Sequence, residues 1–260
     1  MTVLETKKVT RAFGGVIAVK DVDFKVEEGL ITGLIGPNGA GKTTLFNQIT
    51  GMDKPTEGSI YFYGEDITGL PAWKIARKGI ARTFQNIRLY KELTVVENVM
   101  VGLHFKVGSD PFKGRFPQAL KSYFSAGREN RRVYEKAMEW LRFFELDNFA
   151  QDFAGSLPYG SQRELEIARA LSAEPKLLFL DEPAAGMNPA ETAHLMAVVD
   201  KIRNLGVTVV LIEHDMKLVM NICDVITVLN FGHKIAEGTP SQIKSNEAVV
   251  EAYLGREEED

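Results

Sequence analysis

Two short stretches carry residues whose types and spacing can do chemistry. The first, Gly36-Pro37-Asn38-Gly39-Ala40-Gly41-Lys42-Thr43, fits the pattern G-x-x-x-x-G-K-[ST] in full. A chain of phosphates must be surrounded by backbone N–H groups, and side chains obstruct that approach, so glycine recurs at Gly36, Gly39 and Gly41. An apolar strand ending at Ile35 precedes the loop. A helical run from Thr44 to Thr50, closed by Gly51, follows it and aims its positive end at the anion. Lys42 then neutralises the β- and γ-phosphates, and the Thr43 hydroxyl ligates Mg²⁺. The second stretch is Leu177-Leu178-Phe179-Leu180-Asp181-Glu182. Four apolar residues of a buried strand lead to Asp181 at its carboxyl edge, where open α/β sheets bind ligands. Asp181 is suited to hold Mg²⁺ through water, and Glu182 to polarise an attacking water.

These residues need a scaffold, and the composition supports one. The chain has 260 residues, 45% hydrophobic and 25% charged, enough to bury a core. Glycine and proline together make about 13%, which excludes collagen-like or linker-like character. The single cysteine, Cys223, excludes an internal disulfide framework and any four-cysteine metal site. A net charge of −4 lacks the basic excess of a sequence-independent nucleic-acid binder. Apolar runs such as 177–180 and 207–212 fall far short of the ~20 residues that cross a bilayer, and the amino terminus has no signal-peptide pattern. A soluble, cytoplasmic protein is expected.

Along the chain, residues 16–25, 30–35 and 58–63 read as strands separated by turns, so antiparallel packing is expected near the start. Residues 129–144 place Tyr134, Ala137, Met138, Leu141 and Phe144 at helical spacing. Arg128, Arg131 and Arg132 read as a solvated face of that helix. Residues 89–157 form a mostly helical insertion, whose aromatics Phe105, Phe112, Phe116, Tyr123 and Phe124 either pack its own core, the favoured reading, or face a membrane partner. From Gln162 onward helices alternate with the apolar runs 176–181, 207–212 and 225–229, the pattern of parallel strands covered by helices. The acidic end, 256–260, reads as a solvated tail.

With both motifs in place, the chain resembles the ATP-binding subunits of ABC transporters nearly end to end. The resemblance implies an α/β fold of the P-loop NTPase, ABC ATPase type. It combines a RecA-like mixed and parallel sheet core, an antiparallel β subdomain and an inserted α-helical subdomain. The expected divisions are residues 1–88, 89–160 and 161–260. Phe13, after Thr10-Arg11-Ala12, resembles the aromatic that stacks on adenine; a core phenylalanine is the alternative. Gln85, in Thr83-Phe84-Gln85-Asn86, resembles the glutamine that joins the nucleotide site and its metal to the helical subdomain, and His214 the switch histidine at the γ-phosphate. The family signature, usually Leu-Ser-Gly-Gly-Gln, corresponds to Leu157-Pro158-Tyr159-Gly160-Ser161 at the head of a helix. Gly160 and the helix amino terminus are retained for anion contact, with Ser161 beside them in the cofactor-binding set, while Pro158 replaces the signature serine and removes a hydroxyl and a backbone N–H. Asn188 stands where the family commonly has aspartate, which implies altered signalling between subunits.

What the resemblance implies for function is ATP hydrolysis with Mg²⁺, Glu182 acting as base with Lys42, Gln85 and His214 in support. It also implies a head-to-tail dimer in which one subunit's signature closes over ATP held by the other. Two transmembrane permease subunits and an extracytoplasmic solute-binding protein complete the implied assembly, with this chain peripheral on the inner face of the membrane and no nucleic acid bound. Ala81-Arg82-Thr83-Phe84-Gln85-Asn86, Leu165-Glu166-Ile167-Ala168-Arg169, Asp181-Glu182-Pro183-Ala184-Ala185-Gly186, Ile212-Glu213-His214-Asp215-Met216 and Ala252-Tyr253-Leu254-Gly255 resemble the LivG-type ATPases of branched-chain amino acid importers. Urea-type importers and lipopolysaccharide exporters share much of this pattern. An ABC-type ATPase acting on nucleic acid or ribosomes is disfavoured by the single cassette and the absence of sustained heptads. A GTPase is disfavoured by the absence of Asn-Lys-x-Asp.

Overall fold

The computed structural model describes residues 1–104 and 128–254. The aromatics from Phe105 to Phe124 and the acidic end lie outside the described residues. Residues 1–85 with 176–260 form one compact unit, and residues 86–175 a second.

The first unit contains two sheets. Strands β1 (Thr2–Phe13), β2 (Val16–Val22), β3 (Lys25–Glu27), β5 (Glu57–Phe62) and β6 (Glu65–Asp66) form an antiparallel sheet of order β2-β1-β5-β6, with β3 paired to β1. The expected single strand over 16–25 is broken at Asp23-Phe24. There Phe24 N donates to Thr6 Oγ1 at 2.8 Å, and Asp23 Oδ1 accepts from Lys8 N at 2.7 Å. The chain therefore steps around Thr6 and pairs with a different part of β1 on each side of the break.

Strands β4 (Ile31–Ile35), β7 (Ile80–Arg82), β8 (Leu177–Asp181), β9 (Thr208–Ile212), β10 (Val225–Asn230) and β11 (His233–Gly238) form the second sheet, in the order β11-β10-β4-β9-β8-β7. Every pair is parallel except β10 with β11. All five residues of β4, β8 and β9 are buried, as expected of strands covered on both faces. Register brings their carboxyl ends together, since Ile212 lies opposite Leu34 on one side and Asp181 on the other.

Helix α1 (Lys42–Ile49) begins two residues earlier than the sequence pattern suggests. Its Leu45, Phe46 and Ile49 are fully buried in a cluster with Leu4, Val22 and Ile60 of the first sheet and Phe179 and Val210 of the second. The rings of Phe46 and Phe179 are 4.9 Å apart. Each such side chain stabilises the fold by about 1.5–3 kcal/mol, so the loop that starts α1 rests on a fixed support. Helix α2 (Ala72–Lys78) follows the antiparallel strands.

The second unit holds α3 (Val95–His104), α4 (Arg128–Phe143) and α5 (Tyr159–Ser172). A Cβ at Gly102 would lie 2.1 Å from Ser172 Oγ and 2.3 Å from Arg169 O, so α3 and α5 touch backbone to backbone there. Ala137 and Leu141 of α4 are buried and Arg131 and Arg132 exposed, as the spacing predicts. Tyr134, placed on the apolar stripe by its spacing, is exposed instead, its hydroxyl accepting from Gln151 Nε2. The remaining helices α6 (Pro189–Asn204), α7 (Met216–Ile222), α8 (Pro240–Lys244) and α9 (Glu247–Leu254) belong to the first unit. Cys223, after α7, is buried, and burial pushes its thiol up to about 12. Among the described residues no helix is long and apolar enough to cross a membrane.

Candidate nucleotide site

The loop after β4 turns where only glycine fits. A Cβ at Gly36 (φ 151°) would lie 2.1 Å from Leu229 O, and one at Gly41 (φ 99°) 2.5 Å from Ala18 O. Replacing Gly36 with alanine is expected to cost about 3 kcal/mol or more, because overpacking against backbone adds to strained φ/ψ. At roughly 2–4 °C per kcal/mol for a chain of this size, differential scanning calorimetry should show Tm falling by about 6–12 °C. A shift under about 2 °C would mean that the loop is not packed as described.

Lys42 is buried, and its Nζ donates to Gly36 O at 2.6 Å and Pro37 O at 3.0 Å, holding its charge inside the loop. The first turn of α1 has no acidic residue to compete for an anion. Residues 38–44, with Ala18, Gln85 and Glu182, line a cavity of about 260 Å³. A larger open cleft of about 780 Å³ is lined largely by lysines and carboxylates, charges of both signs, and includes no residue of the phosphate loop. The smaller cavity is therefore the site that chemistry selects.

Asp181 and Glu182 leave β8 beside it. Glu182 adopts φ 44°, a left-handed conformation that costs a non-glycine residue of order 1–3 kcal/mol, and its N–H donates to Ile212 O at 2.9 Å. Its Oε2 accepts from Gln85 Nε2 at 2.8 Å, and its Oε1 lies 3.7 Å from His214 Nδ1. Thus Lys42, Thr43, Thr44, Gln85 and Glu182 meet at one cavity, with Asp181 and His214 adjoining. Phe13, at the end of β1, is about half exposed and is not a core phenylalanine. Val16 of β2 is its register partner, and Ala18 of the same strand lines the cavity. Gly160 and Ser161 belong to the second unit, in the first turn of α5. Pro158 is the N-cap of α5 and gives it no side-chain cap, whereas Asn188 caps α6 by accepting from Ala190 N and Glu191 N.

Two residues at the site lie in stretches that carry the family resemblance but receive no role from it. Arg82 donates to Asn47 Oδ1 and Thr50 Oγ1, both at 2.9 Å, approaches Asp181 Oδ2 to 3.5 Å and stacks on Phe46 at 3.9 Å. Glu213 is buried between Glu182 and His214, accepting from Ala184 N at 3.2 Å and His214 N at 3.3 Å. Burial raises the Glu213 carboxyl above its usual range despite these hydrogen bonds. Its signal in the sequence was a carboxylate directly after an apolar strand, masked by the histidine that follows.

The Thr43 hydroxyl, the Asp181 carboxylate and the Gln85 amide are hard oxygen donors, the kind that Mg²⁺ takes. Among the described residues no cluster of three or more histidine, cysteine or carboxylate side chains could cage a metal alone. A cation here would complete its shell with phosphate oxygens and water, the habit of Mg²⁺ in nucleotide sites.

Known proteins resemble this chain over nearly its whole length. The family described as "ABC transporter" matches residues 19–185, and that described as "Branched-chain amino acid ATP-binding cassette transporter" matches residues 233–259. The high-affinity branched-chain amino acid transport ATP-binding protein BraF of Pseudomonas aeruginosa is 51% identical over 97% of this chain and 98% of its own. The ADP conformation of MJ1267, an ATP-binding cassette of an ABC transporter, superposes with a TM-score of 0.85 at 36% identity, covering 98% of this chain and all of that one. The dimeric post-hydrolysis state of the ATP-binding cassette MJ0796, bound to ADP and Pi, gives 0.74 at 28% identity, over 91% and 98%. With a phosphate loop, a strand-end carboxylate pair and end-to-end likeness to such cassettes, this chain belongs to the ABC transporter family.

Proposed function

We propose that the chain is the ATP-hydrolysing subunit of an importer of branched-chain amino acids. The observation that carries the chemistry is Glu182, held by Gln85 at 2.8 Å on the wall of the phosphate-loop cavity. Backbone amides of residues 36–43 and the Lys42 ammonium bind the phosphates, and Phe13 stacks on the base. Thr43, Gln85 and, through water, Asp181 would hold Mg²⁺, which when bound neutralises charge on the β- and γ-phosphates. Glu182 takes the proton of the attacking water, and Gln85 fixes the carboxylate that receives it. His214 contacts the γ-phosphate from the end of β9 and reports its departure. Gly160 and Ser161 of a second ATP-binding subunit, identical or homologous, close over the nucleotide with the uncapped α5 terminus, in a head-to-tail dimer. ATP supplies contacts present only in the closed state, and hydrolysis removes them.

The chain then docks on two transmembrane permeases at the inner face of the membrane, fed by an extracytoplasmic binding protein. The likeness to BraF over nearly the whole chain supports branched-chain amino acids as the solute. Reconstitution with the permeases and binding protein encoded beside it tests this. Leucine, isoleucine or valine should raise ATP consumption several-fold over the solute-free rate. Stimulation by urea or lipopolysaccharide, with none by these amino acids, would overturn the assignment.

A further inference from the structure

Arg11 and Phe13 lie two residues apart at the end of β1, on the same face of the strand. The Arg11 guanidinium lies over the Phe13 ring, with Cζ 4.4 Å from the centroid. It is held there from behind. Nε donates to Asp53 Oδ2 and Nη2 to Asp53 Oδ1, both at 2.7 Å, a two-pronged pair with each side chain about one-quarter exposed. Asp53 is fixed in turn, because its N–H and that of Met52 donate to Asn47 O in the last turn of α1, at 3.1 and 2.9 Å. A second tie secures the strand end, with Ala12 N donating to Thr56 Oγ1 at 3.1 Å and Thr56 N to Thr10 O at 2.8 Å. One face of Phe13 is thus covered by a cation anchored to the phosphate-binding helix, while about half of the side chain remains exposed.

We propose that Arg11, clamped by Asp53, is a positioning residue for the nucleobase, completing a three-layer stack of guanidinium, phenyl ring and purine. This rests on the reading of Phe13 as the base platform. The cation is drawn to the ring's negative face and holds one rotamer, so the opposite face is presented before nucleotide arrives and less ordering is needed on binding. Stacking discriminates little between purines, so ATP and GTP should depend on Arg11 alike. Lysine cannot reproduce the forked grip on Asp53, so the charge alone should restore only part of the effect.

The test is calorimetric titration of the full-length chain with ATP, GTP and inorganic tripolyphosphate, which lacks the base. Arg11→Ala should weaken ATP and GTP binding about 3–10-fold and leave tripolyphosphate unchanged, with KM for ATP rising and kcat within about twofold. Arg11→Lys and Asp53→Asn should give intermediate losses, and they carry the test should Arg11→Ala fold poorly. In a Phe13→Ala background, Arg11→Ala should add less than about twofold. Full multiplication of the two effects, or equal weakening of tripolyphosphate, would overturn the role. So would a loss in Phe13→Ala with none in Arg11→Ala. If Phe13→Ala itself left the preference for ATP over tripolyphosphate intact, the platform reading would fall first, and the stack with it.

Discussion

Glu182→Gln should hydrolyse ATP roughly 10²–10⁴-fold more slowly than the parent chain while binding it within about twofold. The substitution keeps shape and removes only the basic oxygen. Glu182 stands at φ 44° with its N–H bonded to Ile212 O, so glutamine inherits a backbone fixed by the sheet rather than by the carboxylate. The Gln85 amide still finds an oxygen acceptor, at 2.8 Å in the parent. With chemistry blocked and binding intact, ATP should accumulate in a closed pair of subunits. Single-turnover phosphate release and size-exclusion chromatography with Mg-ATP read both effects. Phosphate release at the parental rate would remove Glu182 from the role of base.

Lys42→Ala should act at the earlier step. The ammonium is buried and bonded to Gly36 O and Pro37 O, so its charge is already desolvated and aimed into the loop before phosphate arrives. Removing a buried, hydrogen-bonded partner of an anion costs about 2–5 kcal/mol, or roughly 30- to several-thousand-fold in Kd. The loss should fall on ATP and ADP far more than on AMP, which lacks the phosphates that Lys42 faces. Titration calorimetry with the three nucleotides checks this, and a melting scan without nucleotide separates lost affinity from a loosened loop. An equal loss for AMP would place the lysine's effect in the fold.

The parts of the site most legible in the sequence are those where chemistry and backbone impose one answer. Gly36 and Gly41 leave no room for a side chain, and Asp181 ends a strand of wholly buried residues, so type and position coincide. The antiparallel sheet is less legible. β1 carries Glu5, Lys7, Lys8 and Arg11 on a strand whose register shifts between Lys7 and Thr10, which blurs the two-residue alternation. The break at Asp23-Phe24 depends on Thr6, sixteen or more residues away in the chain, and no local pattern encodes it. Arg82 and Glu213 were hidden for a related reason. Each is a charged residue whose importance comes from partners supplied by other strands and helices, and the sequence stretch that contains it gives it no role of its own.

The lone thiol of the chain has a practical consequence. Cys223 is shut away after α7, so close to β4 that a methyl group on Gly33 would stand 3.0 Å from its sulfur, and it holds its proton up to about pH 12. Maleimide dyes, spin labels and crosslinkers react through exposed thiolate. A cysteine introduced on the surface therefore becomes the reactive one without the native residue being replaced, so the proposed closure of two subunits can be tested spectroscopically in the otherwise unaltered protein.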